Sequence, residues 1–282
     1  MQTFEWRSLQ KTDPDHLRAA REQLHQAIQN VAAVGRKFSP KSRYDEYAVL
    51  TWVPGLSRLA GQWVSGSVTF RSSLSLESFT IYLVDQKVNV LGSYPVEGQT
   101  QLQMMIWLEE QIGKLGLNAA NLTMNLPYEL PEYPTQSGEP FHMQYPAAAL
   151  ELAKYYHNSY VSLREIKVKM GVENNIQVWP HHFDQALEVV LKNSGDPETD
   201  THILLGMSPG DHLFGSPYFY VSTWPFTDTA QCGRLSNNAI WVSEEWTGAV
   251  LFSKHLFEGD QKAMVDLFYE EASAQLIELL TK

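Results

Sequence analysis

The spacing of the apolar residues changes from that of a helix to that of a strand, twice in the same order along the chain. From Asp13 the apolar residues recur every three or four positions, as on one face of an α-helix. Between about Tyr47 and Ser93 the spacing becomes two, the repeat of a half-buried β-strand. A helical segment follows up to Gly116, and residues 146–282 repeat the order of helix, strands and helix. The pattern predicts an α+β protein of two similar helix–antiparallel sheet–helix halves, with an internal duplication as one explanation.

A proline-rich stretch separates the two halves. Residues 117–145 contain Pro127, Pro131, Pro134 and Pro140 together with several aromatic residues. This composition predicts an ordered crossing segment rather than a flexible linker. We therefore divide the chain into an N-terminal α+β half of residues 1–116, this crossing segment, and a C-terminal α+β half of residues 146–282. Two sheets with unrelated strand orders would contradict a duplication.

The alternating residues predict strands in both halves. In the first half they cover residues 48–53, 63–70, 74–84 and 88–91, with a tight turn at Asp85-Gln86-Lys87, and in the second half they cover 176–179, 201–205, 218–223 and 239–252. The alternation within 218–223 places Tyr218, Tyr220 and Ser222 on one face of their strand. The predicted helices begin near residues 13, 102, 146 and 260.

The charge and the termini limit the partners of the chain. With 21 lysines and arginines against 32 aspartates and glutamates, the formal net charge is −11, and no basic stripe interrupts it. We therefore predict no nucleic-acid partner. The amino terminus lacks the basic and apolar regions of a signal peptide, and no segment approaches about 18 consecutive apolar residues. We expect a soluble cytoplasmic protein without membrane contact, whose oligomeric state stays open.

Residues 206–210 match the G-x-S-x-G pattern of a serine-hydrolase nucleophile, with Asp228 and His255 following in the required order. The residue after Ser208 is Pro209, however, which has no backbone N–H to donate to an oxyanion. Such a nucleophile must also open a helix, and the glycines and prolines that follow prevent one. The pattern therefore predicts a turn at Ser208 rather than a catalytic serine.

Residues 179–184, Trp-Pro-His-His-Phe-Asp, form the densest polar and aromatic cluster of the sequence. In a helical turn opened by Pro180, His181 and Asp184 lie three positions apart on one face and can form a hydrogen bond. In a strand, His181 and His182 would point to opposite faces and could not bind one metal ion. An acid–base pair, a metal site and a carboxylate that only orients the junction all stay open, and the last is favoured. Because no second pair of ligands has convincing spacing and Cys232 is the only cysteine, we predict no metal centre and no cofactor.

Further acids of the C-terminal half lie among aromatic residues. The turn after Ser208 presents Asp211, the strand at 218–223 presents Tyr218, and Glu244 lies between two tryptophans. The chain is 12% aromatic. Trp52, Trp63 and Trp107 follow the period of a strand or a helix and are predicted in the core, whereas Trp179, Trp224, Trp241 and Trp246 lie beside prolines, histidines and acids. A buried structural network and an aromatic-lined pocket for a small molecule both fit this pattern.

Several of these segments resemble an uncharacterised family of bacterial proteins, a domain of unknown function. The shared motifs are Tyr128-Glu129-Leu130-Pro131, WPHHFD at 179–184, SPGD at 208–211, PYFYV at 217–221 and WTGAVL at 246–251. The resemblance covers most of the chain and implies relatives rather than an activity. A more distant group of similar proteins shares the His-x-Phe-Asp element, which points to His181 and Asp184. The chain has Tyr133 and Val242 where the family has histidines, so a metal bound by those histidines would be lost here.

We therefore expect an aromatic-lined pocket of the C-terminal half that binds a small polar molecule. The predicted ligand-binding residues are His181, His182, Asp184, Asp211, Tyr218 and Glu244. A hydrolase-type enzyme with His181 as a base oriented by Asp184 is the second hypothesis. A structural or partner-binding protein, with the cluster buried and no pocket, is the third.

Overall fold

The structure is a computed structural model that describes residues 4–41, 47–120, 122–196 and 199–282. Within these ranges the helices are α1 (Pro14–Phe38), α2 (Gln101–Lys114), α3 (Pro146–Met170) and α4 (Gln261–Thr281). The strands are β1 (Thr51–Val53), β2 (Arg58–Ala60), β3 (Val64–Ser65), β4 (Thr69–Ser75), β5 (Thr80–Asp85), β6 (Val90–Pro95), β7 (Ile176–Trp179), β8 (Asp184–Lys192), β9 (Thr201–Ser208), β10 (Tyr218–Trp224), β11 (Ile240–Val242) and β12 (Gly248–Phe252). Short 3-10 helices cover Pro134–Ser137, Thr229–Gln231 and Ser253–Glu258. The helices and antiparallel sheets confirm the predicted α+β class.

Side-chain caps determine where the helices begin, close to the predicted starts. The Asp13 carboxylate accepts a hydrogen bond from the Asp15 N–H at 2.8 Å, and Pro14 occupies the first turn of α1. Thr100 and Gln103 form a reciprocal capping box at the start of α2. None of the helices in the described ranges combines the length and the apolarity that a membrane span requires.

The chain divides into two compact units, and the division predicted from the sequence stays a prediction. The N-terminal unit consists of residues 13–153 and 178–183, and the C-terminal unit of residues 1–12, 154–177 and 184–282. Within the N-terminal unit, the backbones of Leu50 and Val178 exchange two hydrogen bonds of 2.9 and 2.8 Å. Within the C-terminal unit, the Leu9 N–H donates to Gln261 at 2.8 Å. Contacts of this kind, between residues far apart in the chain, determine the boundaries of the units. The local spacing of apolar residues does not indicate such contacts.

Both sheets are antiparallel and follow closely related strand orders. The sheet of the N-terminal unit has the order β1-β2-β4-β5-β6, and the short β3 also pairs with β4. The second sheet has the order β7-β8-β9-β10-β12-β11. It too runs in chain order, except that β11 lies at the edge outside β12. The orders agree with the predicted repetition of elements, and an internal duplication stays a prediction.

Each sheet has one face covered by a helix of its own unit, and we call the opposite face the open face. Residues alternate between the two faces along each strand. In the first sheet, Phe70 and Leu74 are buried on the face under α1, where the Ser72 hydroxyl donates to the Val31 carbonyl at 3.2 Å. In the second sheet, the face under α4 buries an apolar set composed of Leu205, Met207, Phe219, Val221 and Leu251.

Three strand-like runs of the sequence are each divided by a turn. The predicted run 239–252 forms a hairpin, because Ile240 pairs with Val250 and Val242 with Gly248. The run 74–84 divides between β4 and β5, and the run 63–70 between β3 and β4. The turn predicted after β5 is confirmed, since the Asp85 carboxylate accepts the Lys87 N–H at 2.8 Å.

The predicted core tryptophans differ in burial. Trp52 is fully buried, whereas Trp63 is 42% exposed and Trp107 is half-buried. The prediction for Trp63 is wrong because the alternation of a short edge strand does not show which face is covered. Trp63 lies on the open face of its sheet under the guanidinium of Arg71.

Candidate functional site

The open face of the second sheet brings together three of the predicted site residues. Tyr218 and Tyr220 lie two positions apart on β10, and their rings point to the same side with centroids 6.2 Å apart. Asp184 begins β8 on this face, and Asp211 lies in the turn between β9 and β10. We call Asp184, Asp211, Tyr218 and Tyr220 the tyrosine–aspartate cluster.

The first pair of the cluster joins Asp211 to Tyr218. The phenol of Tyr218 donates to the Asp211 carboxylate at 2.5 Å. The other oxygen of the same carboxylate accepts the backbone N–H groups of Leu213 and Phe214, each at 2.8 Å. The backbone N–H of Asp211 in turn donates to the Phe214 carbonyl at 2.9 Å. The turn therefore holds the carboxylate in one orientation toward the sheet.

The second pair joins Asp184 to Tyr220, whose phenol donates to the Asp184 carboxylate. Gly206 lies opposite Tyr220 on β9. A Cβ atom at position 206 would lie 2.5 Å from the Tyr220 hydroxyl and 2.6 Å from the Gln185 carbonyl oxygen. Glycine is therefore required at position 206 because the Tyr220 side chain lies directly over it.

The electrostatics assign the proton of each pair to its phenol. Burial, the negative charge of Asp211 and the hydrogen bond to it all raise the pKa of Tyr218. Burial, the charge of Asp184 and its hydrogen bond likewise raise the pKa of Tyr220. Both phenols therefore stay protonated at neutral pH and act as hydrogen-bond donors, while the carboxylates act as acceptors. A phenol in this state is not a nucleophile.

Aromatic and aliphatic side chains surround the two pairs. The Phe214 ring packs edge-on against Tyr218 and Phe252, with centroid distances of 5.2 and 5.0 Å. Trp246 packs edge-on against Tyr220 at 6.2 Å. Phe214 and Trp246 are only half-buried. The carboxylates are thus half-buried acceptors among rings that are accessible in part, an environment that combines low polarity with negative charge.

Glu244, a further predicted site residue, lies on the turn between β11 and β12. Its side chain is exposed, and its backbone carbonyl accepts the Trp246 N–H at 2.7 Å. The next residue, Glu245, lies 3.5 Å from the exposed His212. The structure therefore places Glu244 on an exposed turn, where it shapes the backbone beside Trp246.

The two predicted histidines belong to the N-terminal unit. Residues 180–183 form the predicted turn, in which the Phe183 N–H donates to the Trp179 carbonyl at 2.7 Å. The His181 ring lies 5.4 Å from that of Tyr128 and 4.3 Å from that of His182, which is exposed. The chain passes from one unit to the other between Phe183 and Asp184. The acid–base pair of His181 with Asp184 therefore stays a prediction.

Under this turn lies a buried polar network, which our sequence predictions did not include. The His25 ring stacks on Phe183 at 5.2 Å and contacts the Tyr133 hydroxyl and the Pro180 carbonyl, each at 3.0 Å. Because a carbonyl only accepts, the Nε2–H donates to Pro180 and Nδ1 accepts from Tyr133. Burial is the main reason that the pKa of His25 falls to about 4, so the imidazole is neutral.

A signal for this network is present in the sequence of α1. His25 and Gln29 lie four positions apart on one helix face, beside the apolar residues Leu24 and Ile28. Both are buried, and the Gln29 amide donates to the Pro180 carbonyl at 2.7 Å. Polar residues at helical spacing inside an apolar stripe therefore indicate a partner on another segment.

The structure does not form the other catalytic pattern of the sequence. β9 ends at Ser208 and leads into a turn rather than a helix, as predicted. The Ser208 hydroxyl accepts the Gly210 N–H at 3.2 Å. Among the described residues, no group of three or more histidine, cysteine, aspartate or glutamate side chains is arranged to hold a metal ion.

No family model matches this chain, and no curated protein or solved structure is similar to it at a significant level. The resemblance to the bacterial family of unknown function stays a prediction.

Proposed function

We propose that the C-terminal unit binds a small molecule with a cationic group, such as an ammonium, at the tyrosine–aspartate cluster. The observation that carries this proposal is the pair of carboxylates held by phenols side by side on one sheet face. Asp211 is fixed by three hydrogen bonds, so its orientation does not depend on a ligand. A carboxylate oriented in advance binds a cation without a further loss of conformational freedom.

The surrounding rings favour a cation over a neutral polar molecule. The faces of aromatic rings attract ammonium groups, and the attraction increases when water is excluded. Phe214 and Trp246 flank the two phenols and remain accessible in part. Together, the acids and rings favour a small amine that has an apolar body.

A titration with benzylamine tests this proposal, with benzyl alcohol as its neutral analogue. We expect Asp211→Asn to weaken benzylamine binding at least about tenfold, since it removes a charge-assisted contact. Glu258→Gln is the matched control, because it removes an exposed acid of the same unit that lies outside the cluster, and it should leave the affinity unchanged. Equal binding of benzyl alcohol, or full binding to Asp211→Asn, would contradict the proposal.

As part of the same proposal we place the protein in the bacterial cytoplasm, with neither nucleic acid nor membrane as a partner. The formal charge of −11 supports the exclusion of nucleic acid, because phosphate backbones repel an acidic surface.

A further inference from the structure

The open face of the first sheet carries two arginines among aromatic and aliphatic side chains. Arg58 on β2 pairs with Ser75 on β4, and Arg71 on β4 pairs with Val84 on β5. Ser73 lies between them along β4 on the same face. The two guanidinium groups therefore extend over one surface of the sheet, within the N-terminal unit.

Each guanidinium lies over an aromatic ring. The central carbon of Arg58 is 3.6 Å from the centroid of the Tyr82 ring, and that of Arg71 is 4.5 Å from a ring of Trp63. A guanidinium that stacks on a ring lies parallel to it, and its N–H groups then point outward from the edge of the guanidinium. The arginines are thus positioned before any ligand arrives.

Hydrogen-bonding groups on this face lack protein partners. Among the residues that the structure describes, the Nε–H groups of Arg58 and Arg71 and the hydroxyl of Ser73 are buried without a hydrogen-bond partner. Asp85, an acid beside them, already accepts the backbone N–H groups of Lys87 and Asn89, each at 2.8 Å. Buried donors of this kind are rare in folded proteins and require an acceptor.

A cavity of about 140 Å³ lies beside these groups. Its polar lining includes Arg58, Arg71 and Ser73 together with Asp85, whose carboxylate is engaged by Lys87 and Asn89. Its apolar lining includes Val53, Leu56 and Val88. Leu56, Trp63 and Val88 are also 39%, 42% and 53% exposed. The volume fits a carboxylate with a few further atoms, while the exposed apolar side chains extend the contact surface beyond it.

We propose that this face binds a small monocarboxylate with an apolar body. Guanidinium groups match a carboxylate in charge and in the spacing of donors, and they bind it with two parallel hydrogen bonds. Burial lowers the pKa of Arg71, and an anion beside it would offset this loss of solvation. The site is independent of the one proposed in the C-terminal unit, whose ligand carries the opposite charge.

Titration with benzoate, followed through the arginine Nε–H signals in ¹H–¹⁵N spectra of the full chain, tests the proposal. We expect the Arg58 and Arg71 signals to shift, and benzamide, which is neutral and of the same shape, to bind at least about tenfold more weakly. Arg71→Gln should weaken benzoate binding by a similar factor. Arg234→Gln, which removes an exposed arginine of the other unit, should leave it unchanged.

Arg71→Lys separates charge from geometry, because it keeps the charge but removes the paired donors. We expect it to retain the fold, checked by circular dichroism, and to bind benzoate less tightly than the wild-type chain. Equal affinities for benzoate and benzamide, or shifts confined to other arginines, would overturn the proposal. Full benzoate binding by Arg71→Gln would overturn it as well.

Discussion

The two sheets have related strand orders, but their open faces carry side chains of opposite charge. The first carries Arg58 and Arg71, stacked on aromatic rings, with donors that lack protein acceptors. The second carries Asp184 and Asp211, each of which accepts a hydrogen bond from a tyrosine. One face is therefore a set of positioned cations, and the other a set of positioned anions.

This difference shows how a repeated architecture can present different ligand chemistry. In both sheets the covered face is largely apolar and supports the fold. The opposite face differs in chemistry between the two sheets, since that of the second sheet buries Tyr218 and Tyr220, whereas that of the first carries the two arginines. Four substitutions test this separation, and the change in stability that we expect decreases from the first to the last.

Gly206→Ala should destabilise the protein most. The added Cβ would clash with the Tyr220 side chain and the Gln185 carbonyl, and overpacking of this kind costs about 3 kcal/mol or more. Gly55→Ala is the control, since no atom lies within 4 Å of its added Cβ. Unfolding in urea measures the stability of both variants. Equal midpoints for Gly206→Ala and Gly55→Ala would show that the position of the Tyr220 side chain does not require glycine at position 206.

The buried network of the N-terminal unit should make the protein sensitive to acid through His25. Its pKa falls from 6.5 to about 4 on folding, so the unfolded chain binds the proton more readily. The stabilisation is complete above pH 6.5 and is lost as the pH falls toward 4. Over this pH interval the free energy of unfolding should fall by about 3 kcal/mol more for the wild-type protein than for His25→Gln. Parallel curves of unfolding free energy against pH for the two proteins would contradict this.

Tyr220→Phe should cost about 2 kcal/mol, because it removes the phenol donor from a carboxylate of low exposure. Tyr82→Phe is the matched variant on the other sheet, where the ring contacts Arg58 through its face. That contact survives the loss of the hydroxyl, so Tyr82→Phe should stay within about 0.5 kcal/mol of wild type. Equal decreases in the free energy of unfolding for the two variants, measured in urea, would contradict the different roles assigned to the two tyrosine hydroxyls.

Arg58→Gln should have the smallest effect on stability, about 0.5 to 1 kcal/mol, which is the contribution of a partly exposed cation–π contact. The thermal midpoint measures it. A loss as large as that of Tyr220→Phe would indicate that Arg58 mainly supports the fold rather than a ligand.

The sequence predicted most elements of the fold and missed two strands, β2 (Arg58–Ala60) and β8. β8 (Asp184–Lys192), which positions Asp184, was not among the predicted strands. Its residues Gln-Ala-Leu-Glu are common in helices, and only pairing with β9 makes them a strand. The hairpin of β11 and β12 was missed for a related reason, since its turn contains neither glycine nor proline before Gly248.

The candidate site was predicted in part. Asp211 and Tyr218 come together as expected, because a turn and a strand joined by a few residues bring them close. Tyr220 was predicted to share the face of Tyr218, but its partner Asp184 could not be predicted from spacing. The partners of His25 are distant in sequence for the same reason.

The α+β class, the helix starts and most of the order of elements follow from the sequence, because periodicity and capping are local properties. The tertiary structure alone decided the unit boundaries, the carboxylate–phenol pairing of Asp184 and the stacked arginines of the first sheet. Each of these depends on which strands lie side by side and which face a helix covers. Contacts between residues far apart in the chain determine both, and local spacing does not contain them.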